Sequence, residues 1–152
     1  MQNSKTMQKI GFISGAFDLC HTGHLLAFEE CKNYCDYFIV ALYIDPTTTQ
    51  TEKNKPIETI FERFIRLRSC KFVDEIFICE TPEDLNSLVG WLHGKYKENL
   101  IRFMDEKYKG RGDLVELNLP IKVHFISRKH NYSSTNLKKL CKKFGNVDGR
   151  RQ

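Results

Sequence analysis

The stretch KIGFISGAFDLCHTGH, residues 9–24, passes from an apolar run through a glycine turn into a segment bracketed by His21 and His24. Lys9–Ser14 is short and apolar and reads as a buried strand. Gly15 lets the backbone come close to a ligand. The helix predicted to start at residue 22 offers free N–H groups and the positive end of its dipole, which suits phosphate. Two imidazoles beside that terminus can donate hydrogen bonds to a phosphate that gains charge in a transition state. A lone histidine at a helix start is ordinarily a solvated cap. Two with a glycine between them, directly after a strand and a Gly-x-Phe-Asp turn, point to phosphate chemistry.

Outward from this stretch, strand and helix patterns alternate. Residues 22–35 carry Leu25, Phe28 and Cys35 at helical spacing, and Tyr37–Tyr43 (YFIVALY) is continuous and β-rich, as in a central parallel strand. Asp45–Lys55 is a polar loop. Pro56 is expected to open a helix whose apolar face is Ile60, Phe61, Phe64, Ile65 and Leu67. Glu75–Cys79 is a third strand. Thr81 caps the next helix, with Asp84 three residues on and Leu85, Leu88, Val89 and Leu92 at helical spacing. Asn99–Met104 and Ile121–Ile126 are the fourth and fifth strands, separated by a charged loop, Asp105–Leu119. Ser133 or Ser134 caps a last helix bearing Leu137, Leu140, Cys141 and Phe144, ended by Gly145. This order predicts an α/β fold: a Rossmann-like, doubly wound sheet of about five parallel strands with helices on both faces. Ligands in such folds sit at the carboxyl ends of the strands.

With 152 residues the chain fits one domain, 1–152, with a polar start (1–8) and a basic tail (145–152) expected to be flexible. Composition is ordinary for a globular protein, 41% hydrophobic and 28% charged. No apolar run is long enough to cross a membrane, and Met1–Gln8 lacks the apolar stretch of a secretory signal. The six cysteines include no Cys-x-x-Cys pair. Cys31 and Cys35 lie one helical turn apart with no second pair, so free thiols in a reducing cytoplasm are expected and no metal site. The net charge of +5 suits polyanionic partners. Part of it is a C-terminal cluster (Lys138, Lys139, Lys142, Lys143, Arg150 and Arg151), read as cations in the last turns of a helix. It lacks the interleaved aromatics of a nucleic-acid platform, so nucleic acid is not expected as a partner.

The segment from Gly15 to His24 resembles the G-x-F-D-x-x-H-x-G-H signature of the HxGH nucleotidyltransferase superfamily, and within it the glycerol-3-phosphate cytidylyltransferases. A second stretch, Arg128-Lys129-His130-Asn131-Tyr132-Ser133-Ser134-Thr135, is similar to that family's R-T-E-G-I-S-T-T in its arginine, first serine and last threonine. An arginine before a hydroxyl-rich helix start is, on physical grounds alone, a second phosphate clamp. The resemblance runs from about Lys9 to about Leu140. It implies transfer of CMP from CTP to a phosphorylated acceptor such as glycerol 3-phosphate, with release of pyrophosphate and with Mg²⁺ bound to the triphosphate. The implied catalytic residues are His21, His24, Lys55 and Arg128. The implied nucleotide-binding residues are Gly15, Ala16, Phe17, Asp18, Gly23, Lys53, Arg63, Ser133, Ser134 and Thr135. Asp18 is expected to support the site or help place magnesium, and which of Lys53 and Lys55 meets the triphosphate stays open. A homodimer is implied as well. An adenylyltransferase using ATP and a non-catalytic nucleotide-binding module are the alternatives. The sequence departs from the family at Met104-Asp105-Glu106-Lys107, at His130-Asn131, at Thr22, and at Lys71 before Phe72-Val73-Asp74-Glu75. The first three changes bear on the acceptor and the base.

Overall fold

The computed structural model describes residues 8–48, 50–110 and 118–145. Apart from Gln8 and Gly145, the start and tail expected to be flexible lie outside those residues. Five parallel strands form one sheet: β1 (Ile10–Gly15), β2 (Tyr37–Tyr43), β3 (Glu75–Cys79), β4 (Leu100–Asp105) and β5 (Lys122–Ile126), in the order β3-β2-β1-β4-β5. The helices are α1 (Thr22–Lys32), α2 (Ile60–Arg68), α3 (Pro82–Tyr96) and α4 (Ser134–Gly145). The chain winds from β1 to β3 in one direction, then returns to place β4 on the other side of β1. The strand order therefore reverses at β1, and a crevice opens above its carboxyl end.

Alternation along the central strands divides the core. Ile10 and Phe12 of β1 and Ile39 and Ala41 of β2 face Leu85, Leu88, Val89 and Leu92 of α3. Ile13, Phe38, Val40, Leu42 and Phe103 face Phe28 and Cys31 of α1 and Leu67 of α2. Both faces are covered, which is why β2 reads as an unbroken apolar run. The cysteines are free, and burial pushes the thiols of Cys20, Cys35 and Cys79 up to about 11, so they act as small apolar groups.

Three expectations are corrected. First, α2 begins at Ile60, not at Pro56. Thr59 caps it with Glu62 in a reciprocal capping box, and the preceding N–H groups of Ile57 and Glu58 are bound by the Asp18 carboxylate. Second, the apolar face of α2 is split. Leu67 is buried and Ile60 and Phe64 pack against the core, while Phe61 and Ile65 are exposed. Third, Leu140, Cys141 and Phe144 of α4 face solvent. Thr81 and Asp84 cap α3 as the sequence predicts, with the same reciprocal bonds. Among the described residues no helix is long and apolar enough to cross a membrane.

Candidate active site

A cavity of about 460 Å³ lies over the carboxyl ends of β1, β2, β4 and β5. Its floor is Ser14 and Gly15 of β1, and its two facing walls are the starts of α1 and α4.

The α1 wall starts from a strained turn. Phe17, Leu19 and Cys20 all have positive φ (49°, 64° and 27°), a region that side chains with a Cβ enter at a cost of about 1 kcal/mol or more each. Long-range bonds hold the turn. The Asp18 carboxylate accepts the N–H groups of Ile57 and Glu58 at 3.0–3.1 Å and pairs with the Lys138 ammonium at 2.9 Å. The Leu19 N–H donates to Glu58 Oε2 at 2.8 Å. Beneath them lies the Arg63 side chain, only 1% exposed for the whole residue. Its guanidinium donates to four backbone carbonyls: Ala16, Tyr43, Ile44 and Glu58. The loops after β1 and β2 are thus tied to α2 by a single residue.

This turn delivers the two histidines. His21 is the N-cap of α1, and its Nδ1 accepts the Gly23 N–H at 3.1 Å. That bond makes Nδ1 the acceptor and leaves the proton of the neutral ring on Nε2, as a donor. The His24 ring stacks on His21 with centroids 3.9 Å apart, and Phe17 meets His24 edge-on at 5.3 Å. Burial, then the neighbouring Arg128 and His130, hold His21 below the ordinary imidazole range. Burial, then His21 and Arg128, bring His24 down to about 3. Both rings are therefore neutral at physiological pH. A side chain at Gly23 would crowd the imidazoles: its Cβ would lie 2.8 Å from Cε1 of His130 and 3.0 Å from the His21 ring, so one of the rings would have to shift. Gly15 is similarly confined, since its Cβ would meet the Phe17 ring at 2.9 Å.

The α4 wall is more open. Ser133 caps α4 by accepting the Asn136 N–H at 3.1 Å, and the Ser134 hydroxyl donates to the Asp18 carbonyl at 3.1 Å. Thr135, Lys138 and His130 also line the cavity. Arg128 reaches across from the end of β5 to Asp105 at 3.2 Å, which fixes the loop against the end of β4.

The structure thus brings together His21, Gly23, His24, Arg128, Ser133, Ser134, Thr135 and Lys53 around one cavity. It places others elsewhere. Lys55 is outside the cavity wall, its side chain 81% exposed and 4.0 Å from Asp45, so of the two loop lysines Lys53 is the one that lines the site. Arg63 does not face the cavity; it is a buried clamp below it. Ala16 and Phe17, by contrast, line the cavity with Gly15 and also support it, through a carbonyl bound by Arg63 and a ring packed on His24. Asp18 borders the cavity, but its carboxylate is fully engaged. Burial alone would raise it, yet the N–H groups of Glu58 and Ile57 and the Lys138 ammonium hold it below the usual carboxylate range. No group of three metal-ligating side chains converges among the described residues.

One residue escaped the sequence reading. Its position among the C-terminal lysines reads as a helix-terminal cation, but Lys138 lies in the second turn of α4 with its ammonium on Asp18. The available signal was its spacing: it stands four residues after Ser134, on the same helix face.

Comparison with known proteins matches this geometry. Over 93 residues the chain is 36% identical to the ethanolamine-phosphate cytidylyltransferase of Dictyostelium discoideum, covering 60% of this chain and 26% of that protein. It is 34% identical over 91 residues to the bifunctional protein HldE of Campylobacter jejuni (58% and 19% of the two chains). It is 33% identical over 66 residues to the FAD synthase of Thermococcus sibiricus (43% and 45%). The chain therefore spans less than half the length of each of these relatives. In fold it is similar to the lipopolysaccharide core biosynthesis protein from Thermoplasma volcanium GSS1, with a TM-score of 0.62 at 20% identity over 81% of this chain and 99% of that one. The family model described as cytidylyltransferase-like matches residues 12–140, from the middle of β1 to the middle of α4 and so across both walls of the cavity, and the chain belongs to that family.

Proposed function

We propose that the protein transfers CMP from CTP to a small phosphate monoester and releases pyrophosphate. The observation that carries this reading is the pair of stacked, neutral imidazoles at the start of α1, with the His21 ring proton placed on Nε2 by Gly23, in the same cavity as Arg128 and Lys53. Neutral donors of this kind stabilise an equatorial phosphoryl oxygen as it gains charge. In the reaction, an oxygen of the acceptor phosphate forms a bond to the α-phosphorus. The bond from that phosphorus to the bridging oxygen breaks, and the electron pair leaves with pyrophosphate. The acceptor is already ionised, so no general base is needed, and catalysis consists of positioning and charge stabilisation. His21 and His24 act on the transferred phosphoryl group. Lys53 and Arg128 neutralise the leaving group, aided by N–H groups at the start of α4. Mg²⁺ enters as part of the nucleotide complex.

Ethanolamine phosphate heads the acceptors to try, since the similar cytidylyltransferase acts on it by name, with glycerol 3-phosphate beside it. Similarity to an FAD synthase supports a second reading, with ATP as donor. The test is magnesium-dependent pyrophosphate release from CTP and from ATP across a panel of phosphate monoesters. Release with CTP is the expected result. Release with ATP alone selects the second reading, and nucleotide binding without release with any pair selects a binding module. A homodimer is part of the same reading, supported by the exposed apolar ridge of Ile57, Phe61 and Ile65, and sedimentation velocity checks it.

A further inference from the structure

We propose that His130 is a third catalytic imidazole, donating a hydrogen bond to the same phosphoryl group that His21 and His24 contact. The proposal rests on the transfer reading above and assigns a role to a residue at which the second stretch departs from the family's pattern. The loop from β5 to α4 folds over the start of α1 until Cε1 of His130 lies 2.8 Å from the point a Gly23 Cβ would occupy. The His21 ring approaches that same point at 3.0 Å. His130 and His21 therefore flank one glycine, with His24 stacked behind His21. The missing side chain at Gly23 is what allows an imidazole from the second wall to reach the first.

Two buried ring nitrogens in this cluster, Nδ1 of His24 and Nδ1 of His130, have no partner among the described residues. A buried polar atom without a partner is destabilising, and a hydrogen-bonding ligand relieves that. The His130 backbone is held from both sides. Arg128 is tied to Asp105, and the Asn131 carbonyl accepts from the Asn136 side chain at 2.8 Å. The Tyr132 ring stands 5.4 Å from the imidazole. A ring fixed this way, facing a cavity that holds two other imidazoles and an arginine, suits a phosphoryl oxygen. It does not suit a metal ion, whose other ligands are lacking among the described residues.

The test compares His130→Ala and His130→Asn with the wild type, using CTP and the acceptor that supports turnover. A catalytic donor predicts that His130→Ala lowers kcat about tenfold to a hundredfold while KM for both substrates stays within about threefold, because the bond strengthens in the transition state. His130→Asn, whose amide can donate from a position near Nδ1, recovers a clear part of the loss. Unchanged kcat, a loss confined to KM, or an Asn variant no better than Ala overturns the proposal. Imidazole ¹H–¹⁵N spectra of the wild type titrated with CTP and Mg²⁺ give a second, independent reading. His130 and His21 signals should move together, and movement of His21 alone overturns the assignment. If the wild type binds CTP but turns over no acceptor, the transfer reading falls, and the spectra still decide whether His130 meets phosphate.

Discussion

The two walls of the cavity are built to different standards. The α1 wall grows out of the sheet's central strand, and its strained turn is fixed by Asp18, Glu58 and Arg63, all three buried. The α4 wall hangs from an edge strand and leans on the same turn through two contacts, Ser134 to the Asp18 carbonyl and Lys138 to its carboxylate. Its own apolar residues, Leu140 and Phe144, face solvent. The histidine side therefore has one geometry, fixed by the core, whereas the serine side can change composition without disturbing the sheet. Most departures from the family pattern fall accordingly: His130-Asn131 and the changes after Met104 lie around the second wall, while on the first Gly15, Phe17, Asp18, His21, Gly23 and His24 are intact and Thr22 is the one change.

Substitutions on the two sides should have unequal effects. The largest is expected at Arg63. Arg63→Ala leaves four carbonyl groups without their donor and removes the support of the turn, so urea denaturation should show a loss of about 3 kcal/mol or more. Arg63→Lys should recover little, because an ammonium lacks the fork that reaches Ala16, Tyr43 and Ile44 together. A near-normal midpoint for Arg63→Ala would abolish the contrast between the walls.

Next is His21→Ala, which should lower kcat at least about a hundredfold with little change in thermal stability. Turnover near the wild-type level would remove His21 from the chemistry.

His24 supplies a smaller effect that depends on pH. The fold holds it near 3 against an ordinary 6.5, so between those values the unfolded chain binds the extra proton and acid favours unfolding. Stability attributable to His24 is complete above pH 6.5 and is lost as pH falls towards 3. From neutrality to pH 5 this should be worth about 2 kcal/mol, or about 4–8 °C in Tm. The Tm of His24→Gln should fall less over that interval; equal slopes would show that the ring is not held neutral by the fold.

The smallest stability effect belongs to the α4 side. Lys138→Met should cost under about 1 kcal/mol, since it breaks one partly exposed ion pair and Asp18 keeps its backbone donors. It should raise KM several-fold while leaving kcat nearly unchanged, which steady-state kinetics would show. A stability loss as large as that of Arg63→Ala would mean that the walls are equally rigid.

What could be read from the sequence follows the range of the interactions. All five strands, the cap of α3 and the His21–His24 site are set by neighbours a few residues apart, so periodicity and turn residues revealed them. The start of α2 is marked locally by Thr59 and Glu62, three residues apart, a signal that Pro56 overshadows, whereas the burial of Arg63 depends on carbonyls as far as 19 to 47 residues away, which no local pattern encodes. The same holds for the choice of Lys53 over Lys55, because both are lysines of one polar loop and only the fold of that loop separates them. The α4 helix was legible as a helix, but its apolar spacing overstated burial, since an edge position offers little to pack against.

The attachment of the α4 wall to Asp18 also has a consequence for biosynthesis. Ser134 follows Asp18 by 116 residues, so at about 5–20 residues per second the ribosome adds the second half of the site roughly 6 to 23 s after the first. For most of that interval β1 has β2 beside it but lacks β4, and throughout it His21 and His24 precede the helix that faces them. A nascent chain can hold the imidazole pair long before it can close the cavity, so activity should appear only after the last helix has left the exit tunnel.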